Sequence, residues 1–246
     1  VLYYVAPAVA KAAVDSGVAQ RPVRNFTEYR TSLKKRLHPV LGVRERIRRD
    51  PAAAQNRRVV FPEGNDREVI RAAHILAEDG YCAPVLIGDP ARIAAVQREQ
   101  GLIPEQVRVF DPAGDAERDA MARYADEFWR LRQRKGVQRD AVRQMLDDTN
   151  RIGALMVRLG DADGLVTGKT KPMSTTLRPI IRIVKPRAGV TRGAGAHIAV
   201  LRDRWLFFAD TTVNNRPSRD DLVEIASLTV ELARDLQEEP LVAFLS

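Results

Sequence analysis

Cysteine is nearly missing from this sequence: Cys82 is the single one in 246 residues. One thiol cannot form an intramolecular disulfide, which fits a reducing compartment, and the expected location is cytoplasmic. Histidine is also scarce, with three residues. His38, His74 and His197 show no metal-ligand spacing, and His74 reads as an ordinary surface or boundary residue of a helix. Aromatic residues make up 6%, and no RNA-binding aromatic signature, zinc finger or basic zipper is present, so nucleic acid is not an expected partner. Long hydrophobic runs are also lacking. The longest, Val1 to Ala13, is interrupted by Pro7 and Lys11 and falls short of the ~20 apolar residues that span a bilayer. It has no basic segment before it and no cleavage signature after it, so it does not read as a secretion signal. No membrane partner is expected.

What is present is the composition of a globular protein, with 45% hydrophobic and 29% charged residues, enough to bury a core. Forty basic against 32 acidic residues leave a formal charge of +8. The excess gathers in Arg30 to Arg49 and Phe128 to Arg143. Solvated faces of arginine-rich helices account for it, and among functional readings a phosphate-bearing ligand is preferred. Both ends read as cut: the chain opens at Val1 inside a helical pattern, and Leu241 to Ser246 reads as a buried strand with nothing to cover it.

Periodicity divides the chain. Residues 1–20 form an alanine-rich amphipathic pattern stopping at Gly17, residues 25–50 are basic and helical, and 51–56 suit a linker. Strands and helices then alternate. A strand at Arg58 to Pro62 precedes a helix from Glu63 to Gly80, and a strand at Pro84 to Gly88 precedes a helix capped by Asp89 and Pro90 and closed by Gly101. A strand at 107–110, helices at 115–135 and 150–159, and a buried strand at 164–166 follow. Two strands, 197–201 and 205–209, lead to a helix at 218–236 whose capping box pairs Ser218 with Asp221. The alternation predicts an α/β fold with a mostly parallel sheet covered on both faces, a three-layer α/β/α arrangement.

Gly168-Lys169-Thr170 imitates the end of a triphosphate-binding loop, but the glycine such a loop needs is replaced by Asp163, and Pro172 interrupts the following helix. No Gly-x-Gly-x-x-Gly follows the first strand, and Asp161 to Gly164 lacks the downstream ligands of a calcium loop. The stretch from Gly168 to Lys185 still deserves a role, because it leaves the carboxyl edge of a parallel strand. It offers Lys169, Lys171, the hydroxyls of Ser174, Thr175 and Thr176, then Arg178 beside Pro179. Pro179 suits the first turn of a helix, whose open N–H groups would join an arginine in binding an anion. A second basic cluster, Arg130 to Lys135, is explained equally well by cations favoured at a helix C-terminus.

Taken together, Phe61-Pro62-Glu63-Gly64, Val85 to Gly88, Leu131-Arg132 with Lys135-Gly136, and Ala154 to Gly164 resemble the phosphate acetyl/butyryl transferase family. Thr176-Leu177-Arg178-Pro179, Phe207 to Thr211 and Val242 to Ser246 continue the resemblance in family order. Upstream, Val5 to Ala13 and Ser16 to Pro22 look like the end of the catalytic part of bacterial malic enzymes. The resemblance implies four segments: 1–24 from the malic part, a helical linker at 25–56, a first subdomain at 57–168, and an incomplete second subdomain at 169–246. It further implies acetyl-CoA, or another acyl-CoA, bound between subdomains, with Arg132 and Arg178 serving its anionic groups; Lys169, Ser174, Thr175 and Thr176 join them from the reading of the loop itself. The family's catalytic Asp-Leu-Ser-Arg-Gly segment has no counterpart here, so no catalytic residue is assigned and no metal site is expected. A hybrid malic enzyme would carry NADP and a divalent metal in its malic part, assemble as a homo-oligomer, and use this domain to sense acetyl-CoA. Hybrid enzymes often lose the Ser/Thr-Leu-Arg-Pro pattern that this chain keeps, which leaves a working phosphate acetyltransferase as the alternative. A ligand-free oligomerisation module is the third reading.

Overall fold

The computed structural model describes residues 2–23, 25–29, 33, 56–201, 204–236 and 238–245. Most of the basic 25–50 stretch and the 51–56 linker lie outside these. Helix α1 runs from Leu2 to Asp15, and Gly17 takes a left-handed φ of 74° at its end. The chain forms two compact units, one over 50–189 and one that takes the described residues of 1–49 with 190–246.

In the first unit, strands β1 (Arg58–Phe61), β2 (Ala83–Ile87), β3 (Arg108–Phe110) and β4 (Gly164–Leu165) form one parallel sheet in the order β3-β2-β1-β4. Runs such as Val85-Leu86-Ile87 are buried on both faces, as parallel strands between two helical layers must be. Their side chains alternate. Val60, Val85, Ile87 and Phe110 enter one cluster, while Phe61 and Leu86 enter the other. Helices α2 (Arg67–Glu78) and α3 (Pro90–Gln100) cover the second face through Ile70, Ala73 and Ile93. The first face is covered by α4 (Arg118–Arg132), α5 (Ala141–Met145), α6 (Thr149–Leu159) and α7 (Met173–Ile183). The expected three-layer α/β/α fold is therefore the observed one. The break between units falls at 189/190, after α7.

Several boundaries differ from expectation. The helix after β1 begins at Arg67 rather than Glu63, because Asp66 caps it by accepting the N–H groups of Glu68 and Val69 at 2.9 and 3.1 Å. Residues 63–66 are released to make a turn. The strand expected to be buried at 164–166 is a half-buried edge, with Val166 exposed, since β1 is its one partner in the sheet. His74 is a core residue at 2% exposure; it falls one turn after Ile70 on the buried face of α2.

The second unit holds an antiparallel hairpin of β5 (Ala196–Val200) and β6 (Trp205–Ala209), then α8 (Arg219–Asp235) with both arms of the Ser218–Asp221 capping box formed. The closing segment expected as a buried strand is not one: 238–245 lie outside any strand, with Leu241 and Leu245 almost fully exposed. No neighbour among the described residues gives it a ladder, and Val242 and Phe244 line an open surface cavity together with Val223 and Val230 of α8. No described helix is long and apolar enough to cross a membrane.

Helix α6 owes its closeness to the sheet to Gly153. A Cβ there would stand 2.5 Å from Leu165 Cδ1 and 2.9 Å from Pro62 Cγ. Gly153→Val should overpack this contact and cost about 2 kcal/mol, lowering the thermal midpoint by roughly 4–8 °C. A calorimetric melt of the variant beside the wild type checks this.

Candidate functional site

The sheet order contains a reversal. From β1 the chain moves through β2 to β3 on one side, then returns to place β4 on the other side of β1. Loops leaving the carboxyl ends of β1 and β4 therefore diverge, and open α/β sheets bind ligands in that crevice. Pro62 ends β1, since it has no N–H for the ladder. Gly64 then crosses the end of β2 so closely that a Cβ would lie 2.6 Å from the Ile87 carbonyl oxygen.

Between them stands Glu63, a residue the sequence reading gave no role. Its side chain is buried, and its two oxygens accept four hydrogen bonds from the loop after β4. The N–H groups of Gly168 and Lys169 donate to Oε2 at 2.9 Å each, and Oε1 accepts the N–H of Thr170 at 2.6 Å and its hydroxyl at 2.5 Å. Burial alone would push this carboxyl up, but the Thr170 hydroxyl and the three backbone N–H groups outweigh it and hold the pKa at about 2. Successive N–H groups converging on one anion are what a phosphate-binding loop offers phosphate. Here the protein supplies the anion itself, and Gly168-Lys169-Thr170 is thereby closed to a triphosphate.

Three further ties fix the same loop. Thr167 Oγ1 donates to the buried Asn150 at 2.7 Å, Lys169 Nζ reaches Asp66 at 2.9 Å and Glu68 at 3.4 Å, and Lys171 Nζ reaches Asp148 at 3.2 Å. Lys169 thus stands with its charge already matched by two carboxylates. The loop delivers the chain to Pro172, where α7 begins.

That start corrects the placement of Pro179. It lies inside α7 rather than in its first turn, and Pro172 occupies the N-cap. An interior proline costs about 3 kcal/mol in an isolated helix. The cost is met by packing, because Thr176 and Ile183 are buried and Ile180 and Val184 join the same core. The helix separates the expected site residues by face. Ser174 and Arg178 are exposed and one turn apart, with Thr175 beside them, so these three share the outer side. No side chain caps the N-terminus. Thr176 points inward at 4% exposure, and its Oγ1 has no hydrogen-bond partner.

Arg132 closes α4 and is half-buried. Its helix and α7 both pack on α6, and Arg158 of α6 links them, donating from Nε to Glu127 of α4 at 2.5 Å and from Nη1 to the Ile183 carbonyl of α7 at 2.9 Å. Arg132 and Arg178 therefore belong to one helical layer, and neither has an ion-pair partner among the described residues. Among the described residues no group of three or more His, Cys, Asp or Glu is gathered for a metal ion.

In the second unit, Asp210 plays a part like that of Glu63. It accepts the N–H groups of Gly195, Thr212, Val213 and Asn214 at 2.8 to 3.1 Å. Burial works against its charge, and these N–H donors with the Asn214 amide prevail, leaving its pKa below the ordinary value. An Asp ahead of Thr-Thr-Val-Asn is a recognisable turn signal. Glu63 had a weaker one, a charged residue closing an apolar strand.

Because the Glu63 pKa is lower folded than its ordinary 4.5, the native state binds fewer protons there. Its stabilisation is complete above pH 4.5 and disappears as the pH falls through about 2. Glu63→Gln should cost on the order of 3 kcal/mol at pH 7 and flatten the acid limb between those values. Urea unfolding of both proteins at a series of pH values provides the measurement.

Comparison with known proteins matches residues 43–246 to the family Phosphate acetyl/butaryl transferase. An NAD-dependent malic enzyme of Rhizobium meliloti is 37% identical over 95% of this chain, which covers 30% of that enzyme. A phosphate acetyltransferase of Corynebacterium glutamicum is 34% identical over 79% of this chain and 58% of its own length. The chain thus spans about a third of the malic enzymes it matches. A phosphotransacetylase from Streptococcus pyogenes superposes with a TM-score of 0.71 at 30% identity, over 82% of this chain and 59% of that one. With motifs, topology and fold in agreement, the chain belongs to the phosphate acetyl/butaryl transferase family.

Proposed function

We propose that this chain is a phosphotransacetylase-like regulatory domain of a malic enzyme that converts malate to pyruvate and CO2, and that it senses acetyl-CoA. The observation that carries the malic-enzyme part is a difference in coverage. The family match begins at residue 43, and the C. glutamicum acetyltransferase matches 79% of the chain, whereas malic enzymes match 95–98% of it. The additional N-terminal residues are thus shared with malic enzymes. These relatives include NAD- and NADP-dependent forms, so the proposal names the class and leaves the nucleotide open. NADP remains the expectation from sequence, with a homo-oligomer as its assembly.

The binding proposal rests on the exposed side of α7. Ser174 offers a hydroxyl at a helix start without a side-chain cap, where the Thr175 hydroxyl already donates to the Pro172 carbonyl at 2.8 Å, and Arg178 adds a planar fork that can bond two phosphate oxygens. Arg132 supplies a second cation from the same helical layer. Lys169, tied to Asp66 and Glu68, holds the loop in place. Acetyl-CoA binding acts as regulation when it favours one of two states of the assembled enzyme.

A second reading, a catalytically competent phosphate acetyltransferase, is favoured by the intact run Ser174 to Pro179. That reaction needs a base to form the CoA thiolate and cations to stabilise charge in the transition state. The two readings differ in product: turnover makes acetyl phosphate, and sensing makes none.

Acetyl-CoA at about a hundred times its dissociation constant adds ~2.7 kcal/mol to stability, a rise of roughly 5–10 °C for this chain. The wild type should show that rise in a thermal-shift experiment, and Arg178→Ala should lose most of it while melting normally without ligand. A folded wild type with no shift removes acetyl-CoA sensing from the proposal. In the full-length enzyme, acetyl-CoA should change the rate of malate oxidation without releasing CoA in the presence of phosphate.

A further inference from the structure

Helix α7 carries the exposed residues on which acyl-CoA binding is proposed, and by itself it is a poor helix. Its N-terminus has no side-chain cap, and Pro179 sits in its interior, where it has no N–H to give the Thr175 carbonyl one turn back. An 11-residue helix with both defects depends on its surroundings. Its apolar anchors lie toward one end. Ile180, Ile183 and Val184 enter the core, and Thr176 is the one buried residue before them.

That end is also held by a charge. Arg158 lies in the last turn of α6, and its Nη1 donates to the Ile183 carbonyl, the last of α7, at 2.9 Å. The final carbonyls of a helix have no partner within it, and the helix dipole favours a cation beside them. Nε of the same guanidinium donates to Glu127 of α4 at 2.5 Å. The planar fork therefore points at two helices at once, and it cannot turn from Ile183 without disturbing a charged bond to α4.

We propose that Arg158 is a positioning residue for the acyl-CoA site, a role that rests on the reading of α7 as that site: by tying the end of α7 to α4, it sets the direction in which α7 presents Arg178. The grip of Glu63 on 168–170 fixes where α7 begins. One fixed point leaves the direction and the rotation of a helix open, and Arg158 supplies the second. At ~1.5 Å per residue, Arg178 stands about 9 Å along the axis from Pro172. A tilt of about 15° from that start moves it by about 2 Å, well beyond the range of hydrogen-bond lengths. Contacts of Ile180, Ile183 and Val184 are non-directional and permit such a tilt; two bonds from one rigid fork oppose it.

Acetyl-CoA is titrated calorimetrically into the wild type, the double variant Arg158→Met with Glu127→Leu, Arg158→Lys and Arg178→Ala, and each protein is melted without ligand. Replacing a buried ion pair by apolar side chains of similar size is about neutral for stability, and Arg130, the other partner of Glu127, is exposed and hydrated once released. The double variant should therefore melt close to the wild type yet bind acetyl-CoA about tenfold or more weakly. Arg158→Lys keeps the charge and the packing of the stem, but its ammonium lacks the fork that spans Glu127 and the Ile183 carbonyl, so it should bind more weakly as well. A role in stability alone predicts the opposite, unchanged affinity in every variant that is folded at the temperature of titration. Wild-type affinity in the folded variants overturns the proposal, and if the double variant does not fold, Arg158→Lys decides alone. Failure of the underlying reading looks different: the wild type binds no acetyl-CoA, or Arg178→Ala binds it as tightly, and the role of Arg158 falls with the site.

Discussion

Glu63 is the residue on which the candidate site depends. Its carboxylate reaches across more than a hundred positions of sequence to take four hydrogen bonds from Gly168, Lys169 and Thr170. Three consecutive N–H groups pointing into one place would be costly without an acceptor. A neutral acceptor would leave part of the demand unmet, whereas a carboxylate has lone pairs for all of them. With the loop fixed, Pro172 and the start of α7 are fixed, and so is the sorting of Ser174, Thr175 and Arg178 outward and Thr176 inward.

A second constraint holds the helices that carry the two arginines. Arg158 and Glu127 are both largely buried, at 16% and 11% side-chain exposure. Arg158 makes a further bond to the Ile183 carbonyl, and Glu127 also accepts from Arg130 at 2.7 and 2.8 Å. A buried pair of this kind adds little net stability over apolar packing. It does fix how α4, α6 and α7 lie on one another, since each polar atom has its partner in one arrangement. Apolar contacts between Phe128, Leu155 and Ile183 would tolerate sliding; the charged link does not. The placement of Arg132 and Arg178 within one layer follows from it.

The first unit thus has two edges of different character. At the carboxyl edge, loops are bound by charge and backbone hydrogen bonds, and cations remain exposed on the helices beyond them. At the amino edge, Gln97, His74 and Gln106 form a chain of polar side chains. Both are consequences of one sheet order, because reversal at β1 opens the carboxyl crevice while the connection from α3 to β3 must turn beneath α2.

The sequence determined much of this protein by itself. Apolar runs at 59–61 and 85–87, the caps Asp89 and Ser218, and the stops Gly101, Gly136 and Gly160 act within a few residues, so local chemistry placed the elements and with them the α/β class. The family motifs, read in order, named the family to which the chain belongs. What local chemistry could not decide was anything made by residues distant in sequence. The apolar face of α7 overrode the usual reading of Pro179, the cap at Asp66 released Glu63 from a helix, and Glu63 met its donors only when β1 and β4 became neighbours. His74 passed for a surface residue until the loop before β3 folded over it. In each case the deciding free energy comes from burial or from a hydrogen bond across the sheet, and neither exists before the chain is folded.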